Sequence, residues 1–131
     1  MPATFEDPKL GQLTRRRGHW RGHVELDGAR VPLAVVGGRK GPDEAALVIA
    51  RRAADELASV RAELEVALAD HREPWGESAE GWTVEWACVW PFDGVLTLEL
   101  GLAVGWDEDH TLGARCRDGC LVELNGSVLA P

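Results

Sequence analysis

Several things are scarce in this chain. No stretch stays apolar long enough to cross a bilayer, because charged residues interrupt every hydrophobic run. Cysteine occurs three times, and an odd number does not suit the paired disulfide framework of a small secreted domain. The opening MPATFEDPKLGQL lacks the basic start and apolar run of a signal peptide. These absences predict a cytoplasmic protein with no membrane partner. Tyrosine is missing and phenylalanine occurs twice, so the aromatic weight falls on six tryptophans. A Gly-rich phosphate loop, a nucleophile elbow and a His-Glu-x-x-His run are all absent, which removes three common signatures of catalysis.

What is present suits one globular domain, 1–131, with 45% apolar and 27% charged residues. The net charge of -8 is unevenly spread. Residues 1–52 hold ten of the fourteen Lys and Arg against six acids, and residues 53–131 hold four against sixteen. An acidic surface repels phosphate backbones, so nucleic acid is not an expected partner. Arg15-Arg16-Arg17, with His19 and Arg21, is the exception, and reads as a solvated strand edge or as an anion-facing patch.

The stretch Val95 to Trp106 organises the fold. Leu96, Leu98, Leu100, Leu102, Val104 and Trp106 share one parity, which predicts a long half-buried strand. A three-residue turn at Phe92-Asp93-Gly94 would set Trp90, Cys88, Trp86, Val84 and Trp82 against Leu96, Leu98, Leu100, Leu102 and Val104. A two-residue turn at Asp93-Gly94 would set Trp90 against Thr97 and Cys88 against Glu99. Tryptophan burial favours the first. The same reasoning gives a three-residue turn at Arg117-Asp118-Gly119, with Cys116 facing Cys120 and Ala114 facing Val122. Trp82, Trp86, Leu98, Leu100, Leu102, Val104, Cys116 and Val122 are then expected on one covered side. Thr97, Glu99, Gly101, Ala103 and Gly105 would meet water or a partner on the other.

Upstream, Met1 to Lys9 reads as a loose entry and Leu10 to Thr14 as a short strand. Asp27-Gly28 predicts a two-residue hairpin pairing Leu26 with Ala29, Val24 with Val31, Gly22 with Leu33 and Trp20 with Val35. Pro32 favours an edge or a non-bonded ladder position. Pro42, Asp43 and Glu44 open a helix that runs to about His71. Its buried stripe is Ala46, Ile49, Ala53, Leu57, Val60, Leu64, Ala67 and His71. Its length predicts a bend near Ala58-Ser59, and Trp75 to Gly81 reads as a loop. The expected fold is α+β: an N-terminal β-hairpin, one long or broken helix, then a four-stranded antiparallel meander covered by the helix.

Chemistry has few candidates. Asp107, Glu108, Asp109 and His110 could hold a metal or act as an acid–base pair, although adjacent loop residues rarely converge. Cys88, Cys116 and Cys120 read as small core hydrophobes rather than as a zinc site. His19 and His23 are about 13 Å apart on a strand, too far to share an ion. Trp82, Trp86 and Trp90 read as core, or as the lining of a small-ligand pocket. Glu56, Glu63, Glu65 and Asp70 lie outside the helix stripe and form a candidate acidic face for a basic protein partner. No cofactor is expected.

Trp106-Asp107-Glu108-Asp109-His110, followed by Leu112-Gly113 and the hairpin through Asp118-Gly119, resembles the Trp-Asp-Glu-Glu-His-Gly block of a bacterial domain family of unknown function. That family's opening Gly-x-Leu strand and Trp-x-Gly hairpin are similar to Gly11-Gln12-Leu13 and Trp20-Arg21-Gly22. Asp109 and Thr111 depart from the block, which has Glu and Gly there. The resemblance implies a fold and no catalytic residues. By analogy with small acidic bacterial proteins that neutralise toxins, it implies a non-catalytic, immunity-like binding domain. The alternative is a metal-binding protein or metal-dependent enzyme using the 107–110 loop.

Overall fold

The computed structural model describes residues 3–72, 81–105 and 107–131; the side chains of residues 71, 72, 107 and 108 lie outside the description. The expected 75–81 loop and the placement of Trp106 therefore fall largely outside it. Strands β1 (Thr4–Asp7), β2 (Gly11–Arg16), β3 (His19–Leu26) and β4 (Ala29–Gly38) form an antiparallel meander. The short β5 (Gly41–Pro42) turns back on β4. Helices α1 (Glu44–Arg51) and α2 (Ala53–Arg72) follow. A second antiparallel meander comprises β6 (Trp82–Phe92), β7 (Val95–Val104), β8 (Asp107–Arg117) and β9 (Cys120–Val128).

β4 and β6 join the meanders by pairing in parallel, Leu33 with Ala87, Ala34 with Cys88 and Val35 with Val89. One mixed sheet results, ordered β1-β2-β3-β4-β6-β7-β8-β9. This overturns the expected α+β arrangement of a separate hairpin and a helix-covered four-stranded meander. The chain is mostly sheet, and the helices are a crossover within it. The physical reason lies in Leu33, Ala34 and Val35, which are buried in succession. A strand buried on both faces belongs inside a sheet, and parallel pairing needs such a crossover. Pro32 precedes this pairing, so its missing amide costs the parallel ladder nothing.

The N-terminal entry is a hairpin rather than a loose end. The buried Asp7 carboxylate accepts the amides of Lys9 (2.9 Å) and Leu10 (2.8 Å) and the Nε–H of Arg51 (2.9 Å). A carboxylate that binds the backbone two and three residues on builds the turn by itself.

Four hairpins share one turn chemistry. Arg17-Gly18, Asp27-Gly28, Asp93-Gly94 and Asp118-Gly119 all have positive φ at both residues, the signature of the type I′ turn. The Asp27-Gly28 register is the expected one. The other two Asp-Gly turns correct the expected three-residue loops. Trp90 faces Thr97, Cys88 faces Glu99 and Trp86 faces Gly101. A bulge between Val84 and Trp86 then shifts the parity, so Val84 faces Leu102 and Trp82 faces Val104, as expected. At the last hairpin Cys116 faces Leu121, and a second bulge leaves Val122 about half exposed.

Two apolar clusters follow. Beneath the helices, Trp20, Leu33, Val35, Val89, Leu98, Leu100 and Leu102 pack with Leu57, Val60 and Leu64. On the opposite face Ala34, Trp86 and Cys88 pack with Phe92 and Val128. The expected common face for Trp86 and Leu100 does not exist. Nor do Thr97, Glu99 and Gly101 meet water, since all three are buried. The helix breaks at Arg52, whose amide bonds the Ile49 carbonyl, six residues before the expected bend. Two tethers flank the break: Arg51 holds Asp7, and Glu56 Oε1 accepts the Gly119 amide at 2.8 Å.

Candidate functional site

α2 commits one stripe to the core, Ala53, Leu57, Val60, Leu64 and Leu68. The three- and four-residue spacing of that stripe turns the intervening residues outward. Asp55, Glu63, Glu65 and Asp70 are exposed, and none makes an ion pair among the described residues. Glu56 differs from this group: it is half-buried and spent on the Gly119 amide. The acidic face is thus Asp55, Glu63, Glu65 and Asp70, with Glu56 as a structural tether. Beside it, a cleft of about 800 Å³ runs between the helix break and the turns of β6–β7 and β8–β9. Val48 and Val95, both about half exposed, line it together with Arg52, Asp55, Arg117 and Asp118.

The other candidates disperse. Asp109 and His110 are exposed on β8, and the Asp107 and Glu108 side chains fall outside the described residues. Among the described residues no group of three or more His, Cys, Asp or Glu could hold a metal ion. Trp82 lies on the helix side with the Arg61 guanidinium 5.0 Å from its ring centroid. Trp86 lies on the opposite face, and Trp90 stacks edge-on with His19 at 6.4 Å. The three tryptophans do not line one pocket.

Burial raises the Cys88 thiol to about 12, with the Glu99 carboxylate adding to the effect. Burial likewise raises Cys116 to about 12, helped by Glu56 and Glu63. A thiol that high carries no thiolate at neutral pH and is a poor nucleophile. Cys120 is exposed and does not face Cys116, contrary to the expected cross-strand pair.

Sequence reasoning missed a polar network on the helix-free face. Arg115 donates to the buried Glu99 (2.9 Å) and to Glu123 (2.9 Å), with its guanidinium 4.0 Å from the Phe92 ring centroid. Arg117 donates to Thr97 Oγ1 (2.6 Å) and to the Phe92 carbonyl (3.2 Å). Glu99 opposite Arg115 was available as a cross-strand signal, but only once the right turn is chosen. The charges neutralise one another, so the network fixes strands and offers no free acid or base. Searches of protein-family models, curated proteins and solved structures find no match to this chain.

Proposed function

We propose that this chain is a non-catalytic, immunity-like protein-binding domain of the bacterial cytoplasm that docks a basic protein on the outer face of α2. The observation that carries this reading is the set of exposed, unpaired carboxylates Asp55, Glu63, Glu65 and Asp70. Their side chains contribute nothing visible to the core, and their charge raises encounter rates with a cationic partner. The adjoining cleft supplies the apolar floor that a charged surface lacks, through Val48 and Val95. An interface needs such a desolvated anchor within its polar rim to hold what electrostatics delivers.

The test replaces Glu63, Glu65 and Asp70 by Lys. Affinity capture from bacterial cytosol with both chains identifies the partner, and stopped-flow mixing then measures its association rate against salt. The triple variant should retain its fold, lose the basic partner's steep salt dependence, and associate several-fold more slowly at low salt. A rate unmoved by either the substitutions or salt would take α2 out of the interface.

A further inference from the structure

Four cations of the chain are held by partners within the fold; of the nine other described ones, none in an ion pair, five lie together while Lys9, Arg21, Arg30 and Arg52 lie apart. Arg51, Arg61 and Arg115 are held by Asp7, Asp27 and Glu99, and Arg117 by Thr97 and the Phe92 carbonyl. Arg15, Arg16, Arg17, Arg39 and Lys40 make no ion pair among the described residues. The topology gathers those five at one corner. His19 pairs with Val36, so the Arg17-Gly18 turn lies at the end of the β3–β4 ladder where Gly37 and Gly38 follow. Arg39-Lys40 is the turn that pairs Gly38 with Gly41.

Two contacts lock the turns together. The Trp20 indole donates to the Gly38 carbonyl at 3.0 Å. Gly37 lets β5 and Trp20 close in, because a Cβ there would clash with the Gly41 carbonyl, Pro42 Cα and the indole. Arg16, Arg17, Arg39 and Lys40 are exposed. Arg15 is half-buried, and its Nε–H has no acceptor. Asp43 and Glu44 follow in sequence; Asp43 caps α1 through the Ala46 amide, and Glu44 lines a cavity with Lys40 and Arg51, so one carboxylate stands against the corner's five cations.

We infer that this corner, built by the Arg17-Gly18 and Arg39-Lys40 turns, is a second docking surface that takes a short acidic protein segment. Four of its five cations are arginines, whose planar forks match carboxylates two bonds at a time. The choice of a short segment over a nucleic acid rests on charge. The net -8 includes these five positive charges, leaving -13 on the rest of the chain. A long polyanion reaching beyond the corner meets that field, whereas a short carboxylate segment does not.

The probe is a fluorescent five-residue oligoglutamate, about 17 Å when extended, titrated at low salt and followed by anisotropy. Arg17→Asp/Arg39→Glu/Lys40→Glu is compared with Lys9→Glu/Arg30→Glu/Arg52→Glu, which changes the net charge equally away from the corner. Circular dichroism checks that both variants fold. The expected result is binding that weakens about tenfold in the corner variant and less than about threefold in the control. Failure of oligoglutamate to bind the wild-type chain would overturn the inference. So would an equal loss in both variants, which would mean that net charge alone is read. Tighter binding of a labelled single-stranded DNA of matched charge, six nucleotides long, would overturn it as well, by making the corner a nucleic-acid surface. None of these outcomes touches the acidic face of α2.

Discussion

Gly101→Ala decides between the two registers that the β6–β7 hairpin can adopt. In the structure Trp86 lies over Gly101, and a Cβ there would overlap Cε2, Nε1 and Cδ2 of the indole. Trp86 is 6% exposed, so the ring has little room to step aside. Forcing extra volume into a packed site costs about 1–3 kcal/mol. Replacing a strand glycine returns about 0.4–1 kcal/mol by restricting the unfolded chain. The net expectation is a loss of about 1–2 kcal/mol, or a fall in melting temperature of about 5 °C for a domain of this size.

The sign should reverse once the indole is gone. In a Trp86→Val background, which keeps a strand-compatible apolar side chain, Gly101→Ala should stabilise by up to about 1 kcal/mol. Urea denaturation of the four chains gives the coupling energy directly. If Trp86 instead faced Leu100, Gly101 would lie on the other side of the sheet and the cycle would be additive. A neutral Gly101→Ala in the wild-type chain, or the same sign in both backgrounds, would refute the placement of Trp86.

Further tests follow from the same contacts. Burial, and then the Arg21 charge, lower the pKa of His19 below 6.5, and its Nε2 accepts the Arg21 Nε–H at 2.9 Å. The unfolded chain then binds the extra proton first, so stability should decline as the pH falls below 6.5 and level off below the folded pKa; His19→Gln should flatten that slope in urea melts at successive pH values. A disulfide reagent should titrate one thiol rapidly in the native chain, Cys120, and three after unfolding, and a fast reaction at Cys88 or Cys116 would contradict their burial. Zinc, calcium and manganese should leave the melting midpoint unmoved, because among the described residues no three His, Cys, Asp or Glu gather to hold an ion. A metal held at a hundred times its dissociation constant would add about 2.7 kcal/mol, and a rise lost in Asp109→Ala/His110→Ala would establish the metal reading instead.

The β3–β4 hairpin was legible because two independent signals agree there. Asp27-Gly28 fixes the loop length, and Trp20, Val24 and Leu26 then meet Val35, Val31 and Ala29 on one face. The α2 stripe was legible for a similar reason, since Leu57, Val60 and Leu64 keep helical spacing whatever they pack against. The β6–β7 register was misread because two signals conflict. Asp93-Gly94 specifies a two-residue turn, while burial of Trp86 and Cys88 asks for the opposite parity. The premise that failed was a single covered face. Once Ala34, Phe92 and Val128 bury the second face, Trp86 is sheltered on either side and the turn decides. A bulge then restores Val84 and Trp82 to the helix side, a correction that strict alternation cannot express. The sheet join was missed because Val31-Pro32-Leu33-Ala34-Val35-Val36 was read for hairpin alternation. Its unbroken burial from Leu33 to Val35 marks an internal strand.

The strand order also turns a sequence asymmetry into a spatial one. Because β1–β4 and β6–β9 each stay together, the basic and acidic stretches of the chain are not interleaved across the sheet. Their separation can be gauged along β3. The Arg17-Gly18 turn stands at its first residue and the Asp27-Gly28 turn just past its last. Arg61 of α2 pairs with Asp27 and stacks on Trp82, so Glu63, Glu65 and Asp70 begin where the basic corner is farthest away. Seven steps along an eight-residue strand are about 23 Å, and the Debye length at physiological salt is about 8 Å. Across nearly three screening lengths Glu63, Glu65 and Asp70 do not cancel the corner's charge, whereas Val48 of the adjoining cleft also lines a cavity with Lys40. On the proposed reading, a cationic protein held at Glu63, Glu65 and Asp70 would leave the corner open to an acidic segment, and one reaching the Val48 end of the cleft would compete with it.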